Sequence, residues 1–204
     1  MMKNPAALWL IGAALLCAAG GCGAKQSDAA AKGAERGPGN SDLPGFGGDF
    51  SLTNQDGKPF NLQDTRGKVV LLFFGYTSCP DMCPTTMSRI VSALGRVDDS
   101  RSNVVTLFVS VDPRRDTPAA LKEYVGSFNT PLVGLTGSPE QIAQVAALYH
   151  ASYEFVRTDS PNYLVNHTTA IFLIDQRGQL RQYFPYDVSP DKLAAGLGAL
   201  LRAK

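Results

Sequence analysis

The chain is poor in the side chains that carry redox and metal chemistry. Its 204 residues hold four cysteines, two histidines, four methionines and one tryptophan. So few cysteines rule out a disulfide-stapled scaffold, and a hydrophobic content of 44% supplies a core without one. Excess charge of either sign is also missing: 19 basic residues face 18 acidic ones, with no Lys/Arg run and no aromatic-interleaved basic stretch. That argues against a nucleic-acid partner. No internal repeat is visible. The one long apolar run, Ala6 to Ala19, is interrupted by glycine and falls short of the roughly 20 residues a membrane-spanning helix needs.

That run marks the N-terminus as an export signal. Lys3 supplies the positive flank, and Ala19-Gly20-Gly21-Cys22 places small residues before a cysteine. The stretch resembles a bacterial lipoprotein signal, with a transmembrane anchor as the alternative. Cleavage before Cys22 would remove residues 1–21 and Cys17 with them, and leave a lipid on the Cys22 sulfur. The mature chain is then neutral, with 18 basic and 18 acidic residues. Residues 22–44 are rich in Ala, Gly, Ser, Lys and Asp and lack the apolar residues of a core, so they read as a flexible tether. Its root-mean-square span is about 25 Å, from ~5–6 Å times the square root of its length. The domain, 45–204, is therefore expected outside the cytoplasm, lipid-anchored and facing the periplasm or the cell exterior.

Within the domain, hydrophobic periodicity predicts a mixed α/β fold. Phe50–Thr53 and Pro59–Leu62 alternate around a Gln55–Lys58 turn as a hairpin, and Val69–Phe74 reads as a buried strand. Val104–Val111, Leu132–Leu135, Tyr153–Arg157, Thr169–Asp175 and Gln179–Phe184 are further strands. Helices open at Asp81, at Thr117-Pro118, at Ser138-Pro139 and at Ser189-Pro190, the last three as a cap followed by proline. Strand–helix–strand units followed by a hairpin and a helix make a mixed sheet with helices on both faces.

Cys79 and Cys83 sit four apart, directly after the Val69–Phe74 strand. Pro84 is harmless only in the first turn of a helix, so the helix starts near Asp81 and the two thiols flank its beginning. Helix N-terminal amides and the dipole are expected to lower both thiol pKa values. A structural disulfide across so small a loop stabilises little. A cysteine pair at a first strand-to-helix junction gives the fold a thioredoxin-type look. His150 ends a helix, where a cation complements the dipole. His167 precedes the Thr169–Asp175 strand, at the sheet entrance that thiol oxidoreductases usually fill with a cis proline, and Thr168 and Thr169 stand there instead. Two thiolates and one imidazole suit copper and zinc; three ligands match Cu(I) and are fewer than structural zinc usually takes. Met82 reads as packing against the sheet, with thioether assistance to Cu(I) as the alternative. A low-pKa thiolate pair equally fits thiol–disulfide exchange.

Three separated motifs carry a family resemblance: Gly75-Tyr76-Thr77-Ser78-Cys79-Pro80-Asp81-Met82-Cys83-Pro84, Ser110-Val111-Asp112-Pro113-Arg114-Arg115-Asp116-Thr117-Pro118, and His167 before Thr169–Asp175. The chain resembles the Sco/SenC family from about Asp49 to Leu201. The resemblance implies a membrane-tethered, thioredoxin-like domain that binds copper through Cys79, Cys83 and His167. It also implies delivery of that copper to the CuA site of cytochrome c oxidase subunit II. A thiol–disulfide reductant protein is expected as a further partner, since an oxidising compartment would close the pair. The alternative function is a thiol–disulfide oxidoreductase that reduces the oxidase cysteines. Many relatives have an acidic residue where this chain has Asn166, which bears on the imidazole's surroundings. Asp112 is expected near the site or at a docking surface, although an Asp-Pro turn explains it as well. Arg114, Arg115 and Asp116 read either as part of that motif or as a solvated loop.

Overall fold

The computed structural model describes residues 45–97, 102–156 and 163–203. The export signal, Cys22, the tether and Arg157 lie outside them. The strands are β1 (Ser51–Asn54), β2 (Pro59–Asn61), β3 (Val69–Gly75), β4 (Val104–Ser110), β5 (Leu132–Thr136), β6 (Tyr153–Val156), β7 (Leu164–His167), β8 (Ile171–Ile174) and β9 (Leu180–Phe184). The helices are α1 (Met82–Leu94), α2 (Pro118–Gly126), α3 (Pro139–Leu148) and α4 (Pro190–Arg202).

Seven strands form one sheet in the order β2-β1-β5-β4-β3-β8-β9. β3, β4 and β5 run parallel, and β8, β9, β1 and β2 add antiparallel flanks. All seven residues of β3 are buried, because the strand lies between two packed layers. Its alternate side chains divide accordingly. Val69, Leu71 and Phe73 pack with the apolar stripes of α1, α2 and α4, whereas Val70, Leu72 and Phe74 pack with Ile142, Val145 and Tyr149 around α3. Two successive right-handed crossovers put α1 and α2 on the same face. The mixed sheet with helices on both faces and an N-terminal hairpin is the expected thioredoxin-like architecture.

Caps set the helix starts. Thr117, Ser138 and Ser189 each accept a hydrogen bond from the backbone N–H three residues on, and Ser138 forms a full capping box with Gln141. Pro84 falls in the first turn of α1, leaving Cys79 in the loop and Cys83 on the helix. A further strand lies just before the Thr169–Asp175 segment: His167 ends β7, which pairs antiparallel with β6 in a separate two-stranded ribbon, Tyr153 opposite His167. The ribbon is short, and Asn166 and Leu164 are exposed, so its apolar pattern is too weak to be read as a strand.

At the far end of the sheet, Asp175 closes the β8–β9 turn. Its carboxylate accepts from the amides of Arg177 and Gln179, each at 2.9 Å, and from Arg181 Nε at 2.7 Å. Burial pushes this carboxyl up, but the Gln179 amide and the Arg181 guanidinium outweigh it and hold it below its ordinary value. A depressed carboxylate contributes stability above its unfolded pKa of about 3.9, and that stability is lost as pH falls through the lower folded value. Asp175→Asn is therefore expected to cost about 1–3 kcal/mol at pH 7. Denaturant titrations of variant and wild type should converge at strongly acidic pH.

Candidate metal centre

The centre is built where β3 gives way to α1. Gly75 ends the strand, its carbonyl accepting from Val111 at 2.8 Å, and the chain turns through Tyr76, Thr77 and Ser78 to Cys79. Cys79 is half-buried and Cys83 fully buried; both thiols are free. The Cys83 amide donates to Cys79 Sγ at 3.4 Å across the start of α1. From the opposite side, His167 brings Nε2 to 3.5 Å from Cys83 Sγ. The three donor atoms lie within 4.8 Å of one another. That span is about twice a metal–ligand bond of ~2.0–2.3 Å, so one ion can touch all three after small rotamer adjustments.

The imidazole is oriented before any ion arrives. Its Nδ1 lies 2.9 Å from the Thr168 carbonyl oxygen. A carbonyl only accepts, so Nδ1 carries the proton and Nε2 presents its lone pair to the thiols. The ring is also held edge-on by Phe73 and Tyr76, with centroids at 6.0 and 5.8 Å. A hydrogen-bonded far nitrogen is what a ligating histidine normally has.

The two thiols are not equivalent, which corrects the expectation that the helix start lowers both. Cys79 is held far below the usual thiol range, chiefly because the Cys83 S–H donates to it; burial opposes the shift, and the Cys83 and Asp81 amides assist it. Cys83 is raised, because it is that donor and because it is buried. In the metal-free pair one proton is shared, with the charge on the more exposed sulfur. An incoming soft cation displaces that proton.

Cys79 and His167 open into a groove of about 280 Å³ that Met82, Asp81, Leu164 and Asn166 also line. Met82 is partly exposed on this groove, whereas Met87, one turn later, fills the core. Asn166 is exposed beside the imidazole. Asp112 lies outside the three-donor cluster: it is fully buried and accepts from the Tyr163 hydroxyl at 2.7 Å and from Arg115 Nε. The loop around it is only partly solvated. Arg114 is exposed over the Phe155 ring, but Asp116 has no exposed surface. Its Oδ2 accepts from the Thr77 amide at 2.9 Å and from Ser110 Oγ at 2.6 Å, and its Oδ1 from Thr77 Oγ1 at 2.6 Å. Tyr163 is the functional-site neighbour that sequence reasoning missed, and Asp116, which the sequence left between motif and solvated loop, is buried. The four-residue spacing of Asp112 and Asp116 inside one motif was the signal available.

The chain is similar to known proteins. The family model described as SCO1/SenC matches residues 39–202. An SCO2-like protein of Rickettsia conorii is 38% identical over 150 residues, 72% of this chain and 73% of that protein. The structure of Bradyrhizobium japonicum ScoI with copper bound is 40% identical, with a TM-score of 0.70 over 76% of this chain and 99% of that one. A SCO1/SenC family lipoprotein from Bacillus anthracis is 26% identical, with a TM-score of 0.66 over 80% of this chain and 99% of that one. Among the described residues no helix is long and apolar enough to cross a membrane. With the family model matching residues 39–202 and a relative 38% identical over 72% of the chain, this chain belongs to the SCO1/SenC family.

Proposed function

We propose that the chain carries copper as cargo, bound by Cys79, Cys83 and His167, and delivers it to the CuA site of cytochrome c oxidase subunit II. The observation that carries this reading is the convergence of two thiol sulfurs and one lone-pair-bearing imidazole nitrogen within 4.8 Å. Soft thiolates select Cu(I) over the hard cations, and three donors satisfy its coordination. A relative with copper bound, 40% identical, supports the choice of ion. The open groove beside Cys79 supports transfer: a partner's thiols can enter on that side and replace the ligands one at a time, the half-buried Cys79 first and the buried Cys83 last. Residues 1–21 are the signal, Cys22 the lipidated residue and 22–44 the tether that keeps domain 45–204 near the membrane, where an oxidase subunit is at high effective concentration. The lipoprotein from Bacillus anthracis supports that anchoring.

The unequal thiols favour a second reading, a thiol–disulfide reductant for the oxidase cysteines. A half-buried, depressed Cys79 at the groove can attack a disulfide while Cys83 resolves the mixed intermediate. Both roles use the reduced pair, so a reductant partner that reopens the Cys79–Cys83 disulfide serves either.

The test is an anaerobic Cu(I) titration of the reduced chain against a competing chelator. One tightly bound copper per chain is expected, and none after oxidation of the pair. A Cys79→Ser variant that still holds one copper with wild-type affinity would rule the site out.

A further inference from the structure

The two carboxylates of the turn after β4 do different things. Asp116 reaches toward the cysteines: it takes three hydrogen bonds, two from Thr77 and one from Ser110, and all three donors are neutral. Burial pushes this carboxyl up while the Ser110 and Thr77 bonds oppose it, so the group sits where a charge is expensive to keep. Asp112 reaches the other way. Its Oδ1 accepts from the Tyr163 hydroxyl at 2.7 Å, and its Oδ2 from Arg115 Nε. Arg115 in turn donates through Nη1 to the Tyr163 carbonyl at 2.9 Å, and its guanidinium lies 3.7 Å from the centre of the Tyr163 ring. Tyr163 immediately precedes β7, the strand that ends in His167. The two arms are joined at the turn itself, where the Asp116 amide donates to the Asp112 carbonyl at 2.9 Å and the Asp112 amide to Ser110 Oγ at 3.0 Å.

Cys79 and His167 lie 88 residues apart in sequence, Cys79 in the loop that follows β3 of the main sheet and His167 at the end of the two-stranded ribbon. Among the described residues, β7 pairs only with β6 and has no ladder bond to β3. The backbone from His167 into β8, where Ile171 stands opposite Phe73 of β3, brings the two segments together, and side chains fix the remaining spacing. We infer that the 112–116 turn is a brace for the metal centre, with Asp116 positioning the cysteine segment through Thr77 and Tyr163 positioning the histidine strand through Asp112 and Arg115. Neither residue touches the ion; both act by fixing the distance between ligands that do. The inference rests on the proposed copper site.

Single-bond deletions test it without altering charge. Thr77→Val removes the Oγ1 donor to Asp116, and Tyr163→Phe removes the hydroxyl donor to Asp112. Each is expected to lower Cu(I) affinity about tenfold, within the 10–100-fold that loss of an outer-shell partner costs. Because the arms share one job, the double variant should lose nearer tenfold than a hundredfold. The Tyr163→Phe effect should vanish in a His167→Ala background, where the histidine strand no longer bears a ligand. A purely structural role would not show that dependence. In the metal-free chain, the Thr77 amide should exchange with solvent at least tenfold faster in Asp116→Asn. Affinities within twofold of wild type in both single variants overturn the brace, as do losses that multiply and persist without His167. Should wild type bind no copper tightly, the carrier reading fails instead, and unchanged Thr77 exchange in Asp116→Asn then overturns the cysteine arm by itself.

Discussion

His167→Ala is expected to lower Cu(I) affinity by more than a hundredfold while leaving thiol–disulfide exchange of the Cys79/Cys83 pair with glutathione within a few-fold of wild type. The ring supplies one of three donors, and loss of a ligand should exceed the roughly 10–100-fold that loss of its outer partner costs. It supplies little else. His167 is half-buried at the end of a two-stranded ribbon that lines the groove, so its removal opens no deep cavity. The thiols keep their mutual support, the Cys83 S–H that donates to Cys79 and the Cys83 amide at 3.4 Å from Cys79 Sγ. The measurement is a chelator competition paired with a glutathione redox titration on the same variant. Copper binding indifferent to His167 would transfer the weight to the reductant reading. Loss of both properties together would mean that the histidine supports the fold of the loop. Cys79→Ser is the contrasting variant, since it should abolish both.

The candidate ligands were legible because their residue types are scarce. With two histidines and two free thiols in the domain, a soft-metal site had almost no other candidates, and Pro84 located the helix start that separates Cys79 from Cys83. The strands of the main sheet were legible for a different reason: β3 is buried on both faces and reads as an unbroken apolar run. What escaped depends on partners distant in sequence. Nothing near Asp116 indicates that its donor is Thr77, 39 residues earlier, or that Asp112 meets Tyr163, 51 residues later. A charged pentapeptide looks the same whether it is solvated or buried. The thiol asymmetry escaped because a helix-terminus argument treats each sulfur alone, whereas a buried thiol that donates to its neighbour is driven the opposite way. β7 escaped because four residues, two of them exposed, carry no usable period.

Gly75 is the position where packing and the metal centre meet most tightly, and Gly75→Ala is expected to damage both. A Cβ there would stand 2.7 Å from Phe108 Cε2 and 2.9 Å from Cys83 Sγ, distances that real side chains essentially never adopt. Neither neighbour can yield, since Phe108 and Cys83 have no exposed surface and Phe108 is wedged between Phe73 and Tyr124, with ring centroids at 6.2 and 5.0 Å. Overpacking of this kind costs about 1–3 kcal/mol. The displaced sulfur is the one that faces His167 Nε2 at 3.5 Å, so any relief taken on that side also moves a ligand. The expected result is a lowered unfolding midpoint together with weakened Cu(I) binding, read by denaturant titration and chelator competition. Gly126→Ala is the control: nothing lies within 4 Å of its Cβ, at the last residue of α2, and alanine there should be neutral or stabilising by up to about 1 kcal/mol. Wild-type stability and affinity in Gly75→Ala would mean that Phe108 or α1 shifts freely. The rigid placement of Cys83 beneath the groove would then no longer explain why the buried thiol stays aligned with the imidazole.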